Sequence, residues 1–180
     1  GSKFFSGQAM GDSFKRALGE PPPQCFRLQF GAEFTDTDLI DVKERFAILK
    51  VWEEPVQGAY YVLGADPAYG SSPTADRFAC TVLRAYANRL EQVAEFCTVD
   101  IAPHVFAWVI VYLAGAYEPC LTNVELNGSG SAVIHEMDNL RKMSGRALFK
   151  DDSKTMRNVV GKMREYLYAR PDSIGGRPMG

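Results

Sequence analysis

Apolar positions along the middle of the chain fall into short blocks whose spacing predicts their elements. Residues 59–65 form a continuous apolar run of strand length, and 78–85 is rich in apolar and β-branched residues. After a turn at Asn88-Arg89, residues 92–99 read as a third strand. Three strands in succession predict an antiparallel meander. Residues 104–117 are apolar on nearly every side, which predicts a buried helix, with Pro103 suited to its first turn and Asp100 available as a cap. Residues 120–126 read as a fourth strand. A strand-helix-strand order implies a right-handed crossover that lays this strand parallel to the first.

The flanks are less regular. Residues 25–30 alternate as a strand does, 35–41 are acidic and turn-like, and 45–52 form another candidate strand. Val133, Met137 and Leu140 give 132–143 the spacing of an amphipathic helix, which Gly145 is expected to stop. A short strand and turn over 146–152, a helix over 155–168 (Val159, Met163 and Tyr166 on one side) and a loop over 170–180 complete the pattern. Pro21-Pro22-Pro23 cannot lie inside a helix and predicts an extended segment. The expected division is an N-terminal arm or linker over 1–57, with Gly1-Ser2 a cloning scar and edge strands in its later part. An α/β domain follows over 58–180.

Composition narrows the class. With 46% hydrophobic and 23% charged residues among 180, the chain has the balance of a soluble globular domain. Its longest apolar run, Val105 to Ala116, is too short to span a bilayer. Cys25, Cys80, Cys97 and Cys120 lie far apart without a C-x-x-C pair, as expected of reduced thiols in a cytosolic protein. His104 and His135 are the only histidines and neither neighbours a cysteine pair, which argues against zinc. Charge is unevenly spread. Residues 141–180 hold ten Lys/Arg against four Asp/Glu, a net of +6, whereas the first 140 hold ten against eighteen, a net of −8. An acidic body beside a basic flank suits a polyanionic partner, although a solvated charged face accounts for it equally well.

The candidate chemistry lies in carboxylates at strand ends. Asp66 closes the apolar run Tyr60 to Ala65, where an acid is costly unless it meets a cation or solvent. Pro67 bends the chain, Gly70-Ser71-Ser72 permits close approach, and Asp76 follows. Glu125 repeats the design between Val124 and Leu126, followed by Asn127-Gly128. Carboxylates are the ligands of hard divalent ions, and paired Mg²⁺ or Mn²⁺ supports phosphodiester hydrolysis. Blander readings coexist: Asp66 as a turn-capping acid, Asp76 in a surface pair with Arg77, Glu125 simply pointing to water. The Gly128-Ser129-Gly130-Ser131 loop reads as a phosphate cradle or as a helix cap by Ser129 or Ser131. Walker A, G-x-G-x-x-G and G-x-S-x-G motifs are missing, and His135 reads as a surface residue.

Leu63-Gly64-Ala65-Asp66-Pro67-Ala68-Tyr69-Gly70, then Asp76, then Val124-Glu125-Leu126-Asn127-Gly128-Ser129-Gly130 resembles the C-terminal nuclease domain of tailed-bacteriophage terminase large subunits. The match covers residues 58–145, and more loosely 146–180. It implies an RNase H-like fold with a central mixed sheet flanked by helices. The implied activity is two-metal (Mg²⁺ or Mn²⁺) cleavage of concatemeric double-stranded DNA into genome lengths. By position, Asp66 corresponds to the metal-bridging acid, Glu125 to the acid of the second strand and Asp76 to an accessory acid. A third motif acid is expected beyond Gly180. The resemblance further implies a packaging ATPase domain in the full-length chain, portal and small-subunit partners, a monomeric domain without membrane contact, and the bacterial cytoplasm. Phosphate contacts would come from Arg77, Arg141, Lys142, Arg146, Lys150, Lys154 and Arg157. Alternatives of other classes are a non-catalytic DNA-binding or docking module and a recombinase- or resolvase-type nuclease.

Overall fold

Side chains alternate between the two faces of a strand, so the burial pattern fixes which face of a sheet is covered. The computed structural model describes residues 23–34, 36–68 and 76–148. Its strands are β1 (Gln24–Phe30), β2 (Thr37–Asp41), β3 (Leu49–Val51), β4 (Tyr60–Asp66), β5 (Phe78–Ala85), β6 (Leu90–Thr98) and β7 (Cys120–Val124). The helices are α1 (Pro103–Ala116) and α2 (Gly130–Leu148), with a 3-10 turn over Glu44–Phe46. All seven strands join one sheet in the order β2-β1-β3-β6-β5-β4-β7. Every pairing is antiparallel except β4 with β7, which is parallel. The meander β4-β5-β6, followed by a helix and a strand returning parallel beside β4, is the core of the RNase H-like α/β fold.

One face of the sheet is packed. Tyr61, Leu63 and Ala65 of β4 alternate inward with Phe78, Cys80 and Val82 of β5, and Phe26, Leu49 and Phe96 continue the layer. Helix α1 covers it: the Phe106 ring lies 5.2 Å from that of Phe78 and 6.1 Å from that of Phe96. A helix apolar on nearly all sides needs cover on its outer side too, and α2 supplies it. There Leu140 joins Trp108, Tyr112 and Phe34, with the Phe34 and Tyr112 rings stacked 4.5 Å apart. Polar tips in this layer are satisfied: Trp108 Nε1 donates to Glu136 Oε1 at 2.9 Å, and the Tyr112 hydroxyl donates to Thr37 Oγ1 at 2.8 Å. Among the described residues no helix is long and apolar enough to cross a membrane.

The structure departs from the sequence reading at several points. The acidic stretch read as a turn contains β2, an edge strand in which Leu39 is buried while charged neighbours face water. Charge on an edge strand hinders pairing with other chains, and its polarity hides the strand from a pattern search. Of the candidate strand over 45–52, Arg45 and Phe46 belong to the 3-10 turn, and only Leu49–Val51 forms a strand. Asp100 does not cap α1: the cap residue is Ala102, without a side-chain hydrogen bond. Gly145 does not stop α2, which continues to Leu148 and includes Arg146, so no strand begins at 146. A lone glycine costs a helix only about 1 kcal/mol, which does not suffice to end it. The helix read over 155–168 and the loop over 170–180 lie outside the described residues.

Candidate active site

Parallel pairing of β4 with β7 sets Ala65 opposite Val124. The next residues along, Asp66 and Glu125, therefore lie side by side on neighbouring chains about 4.8 Å apart. Continuity of the ladder supports this, since the Glu125 amide donates to the Ala65 carbonyl at 2.9 Å. Ala65 and Val124 pack toward the core, so alternation turns both acids to the opposite face, where both are exposed. β7 ends at Val124, two residues earlier than the sequence predicts, leaving Glu125 just past the strand.

The open face carries a shallow bay of about 440 Å³ beside these acids. Two rows cross it. Ala79, Asp66 and Glu125 form one; Thr81, Gly64 and Asn123 form the other. The sequence reading missed Thr81, Gly64 and Asn123 as site residues. Their signal is period-two spacing: each lies two residues from a member of the acid row on its own strand.

Local chemistry after β7 holds Glu125 in place. Asn127 Nδ2 donates to Glu125 Oε1 at 2.8 Å. Gly128 takes φ 64°, a left-handed turn that favours glycine, and the Gly130 amide then donates to the Asn127 carbonyl at 3.1 Å. Ser129 does not use its hydroxyl as a helix cap in the way the sequence predicts. Instead the buried hydroxyl donates to the Ala68 carbonyl at 2.6 Å, tying the segment after β4 to the start of α2. Ser129→Ala removes the donor and leaves that carbonyl unpaired. The expected loss is about 2 kcal/mol in denaturant unfolding. An unchanged midpoint would show that this tie contributes nothing.

The other sequence candidates are dispersed. Asp76 and Arg77 are exposed just before β5, and Asp76 does not line the bay. Among the described residues, no three His, Cys, Asp or Glu side chains converge. Arg141 and Lys142 both pair with Asp138 on α2, at 2.8 and 2.5 Å, in the helix layer on the other side of the sheet. These two cations hold the Asp138 carboxyl below its ordinary range, Lys142 contributing most. Arg146 belongs to α2, while Lys150, Lys154 and Arg157 lie outside the described residues. His135 is exposed on α2, and exposed His104 meets the Trp108 ring edge-on at 5.5 Å. Burial pushes the Cys80 thiol far above its ordinary range, which argues against thiolate chemistry there.

The donors of the bay fit a hard divalent cation. The two exposed carboxylates are oxygen ligands, and solvent can complete the shell, as Mg²⁺ and Mn²⁺ require. Two carboxylates suffice for one such ion. For a second ion the described residues provide no third converging acid.

The fold and this paired-acid bay define an RNase H-like domain with a candidate carboxylate centre at the ends of β4 and β7. Among solved structures, the chain is similar to the large terminase nuclease from thermophilic phage G20c. Identity there is 15%, over 68% of this chain and 63% of that one, with a TM-score of 0.44. A structure of the same phage nuclease with bound zinc is similar at 16% identity, over 69% and 70% of the two chains, also with a TM-score of 0.44. The chain thus spans less than two thirds of the first of these. No family model matches the chain, and no curated protein does.

Proposed function

We propose that the chain is a divalent-metal-dependent endonuclease domain acting on duplex DNA, with Asp66 and Glu125 as its acidic pair. The observation that carries the reading is their adjacency at two parallel strand ends, exposed together over one bay. Asp66 and Glu125 would hold the ion, and Asn127 keeps the Glu125 carboxylate from swinging away. When bound, Mg²⁺ or Mn²⁺ would supply a more acidic water and offset charge on the phosphate. An accessory role for Asp76 rests on the motif alone.

The order of the motifs supports a finer reading, the nuclease domain of a phage terminase large subunit. Such a domain would trim concatemeric DNA beside a packaging ATPase domain, a portal and a small subunit in the bacterial cytoplasm. Phosphate contacts by the basic residues of the C-terminal segment belong to the same proposal. Having only two converging acids among the described residues favours a second reading, a module that docks on duplex without cutting it.

Incubation of the chain with linear duplex DNA separates the two. Cleavage is expected in Mn²⁺ or Mg²⁺ and is expected to stop with chelator. Duplex binding without cutting in either metal would select the docking module, and preference for a four-way junction would select a resolvase-type enzyme.

A further inference from the structure

Gly64 occupies the interior of β4, where glycine weakens a strand and a β-branched residue would serve better. Neither backbone nor neighbours require glycine there. Its φ lies outside the left-handed region, and a Cβ built on it meets nothing within 4 Å. Within a strand, glycine often marks a close approach by a ligand or another backbone. No backbone of the described residues makes that approach. The space it leaves is the second row of the bay, between Thr81 and Asn123.

Rows two residues apart on a strand are separated by about 6.6 Å, the scale of one backbone repeat of a nucleic acid. Asn123 is exposed, and its carboxamide makes no hydrogen bond among the described residues. A neutral donor suits this position. An arginine beside Glu125 would pair with the carboxylate, whereas an amide can donate to a phosphate and leave the acids charged.

We propose that the bay over Gly64, between Thr81 and Asn123, seats the sugar-phosphate adjoining the linkage cut at Asp66 and Glu125, with the Asn123 amide donating to a phosphate oxygen. This rests on the nuclease reading and adds a substrate subsite and a positioning residue to it. Contacts of this kind read backbone rather than base, so the subsite should be indifferent to sequence.

Gly64→Val and Asn123→Ala in the full chain test it, using a fluorescent duplex oligonucleotide. Binding is followed by anisotropy in chelator and cleavage in Mn²⁺. Gly64→Val should unfold at the same temperature or higher, yet lose at least about tenfold in both binding and cleavage as its side chain fills the bay. Asn123→Ala should raise KM about tenfold with kcat nearly unchanged, the worth of one hydrogen bond to a charged group. Asn123→Ser, which keeps a donor, should recover most of that loss. If Gly64→Val proves unstable, the exposed Asn123 pair carries the test.

Wild-type binding and cleavage in both variants would overturn the subsite while the nuclease reading stands. Duplex binding without cleavage by the unaltered chain, weakened in both variants, would keep the bay as a backbone seat and remove the cutting reaction. A chain that neither binds nor cuts sinks both.

Discussion

Asp66→Asn is expected to lower metal-dependent cleavage at least about a thousandfold, because a hard cation contributes several kcal/mol to stabilising a phosphoryl transition state. The exchange keeps size and shape. Asp66 is exposed and makes no hydrogen bond or ion pair among the described residues, so the fold does not lean on its charge. Stability should stay within about 0.5 kcal/mol of the original, the usual range for surface substitutions. In chelator the variant should be no less stable than the parent, since asparagine relieves the repulsion between two adjacent carboxylates. Saturating Mn²⁺ should raise the unfolding temperature of the parent and leave that of the variant nearly unmoved. Manganese-dependent nicking that survives in Asp66→Asn would remove the acid from the mechanism.

Gly130→Ala is the second large effect, and its sign is opposite to intuition. Glycine to alanine near a helix start ordinarily helps, by up to about 1 kcal/mol in a helix interior. Here the added Cβ would stand 2.0 Å from the Glu125 carbonyl oxygen and 2.9 Å from its carbon. Both are backbone atoms and neither can rotate aside. Either α2 moves away from the end of β7 or Glu125 does. A destabilisation of about 3 kcal/mol is expected in denaturant unfolding, the upper range for overpacking. Because the displaced residue is one of the paired acids, cleavage should fall with it. An alanine variant as stable as the parent would show that the helix does not pack so closely against the acid-bearing turn.

The two substitutions separate chemistry from scaffold. Asp66→Asn should spare the fold and stop the reaction, whereas Gly130→Ala should disturb both. Between them stands the Ser129 tie, which couples the segment after β4 to the same helix start. The tight turn after β7 is thus where folding and the candidate chemistry meet.

The chain alone determined the blocks with strong periodicity. β4, β5, β6, α1 and β7 were legible because each is a long apolar or alternating run bounded by turn residues. Their order then prescribed the meander, the crossover and the parallel return, and with them the acids at two strand ends. Local pattern could not reveal β2, whose polarity suits an exposed edge, or the passage of α2 through Gly145, since one glycine costs a helix too little to end it. Nor could it reveal that Thr81, Gly64 and Asn123 would form a row beside Asp66 and Glu125. That row exists only through the register of three strands, the third of which returns to β4 after β6 and α1. Register is fixed by burying one face of the sheet, and a slip of one residue would turn every apolar side chain to water. The residues of the bay were therefore written in the chain, but their meeting was decided by the core packed on the other side.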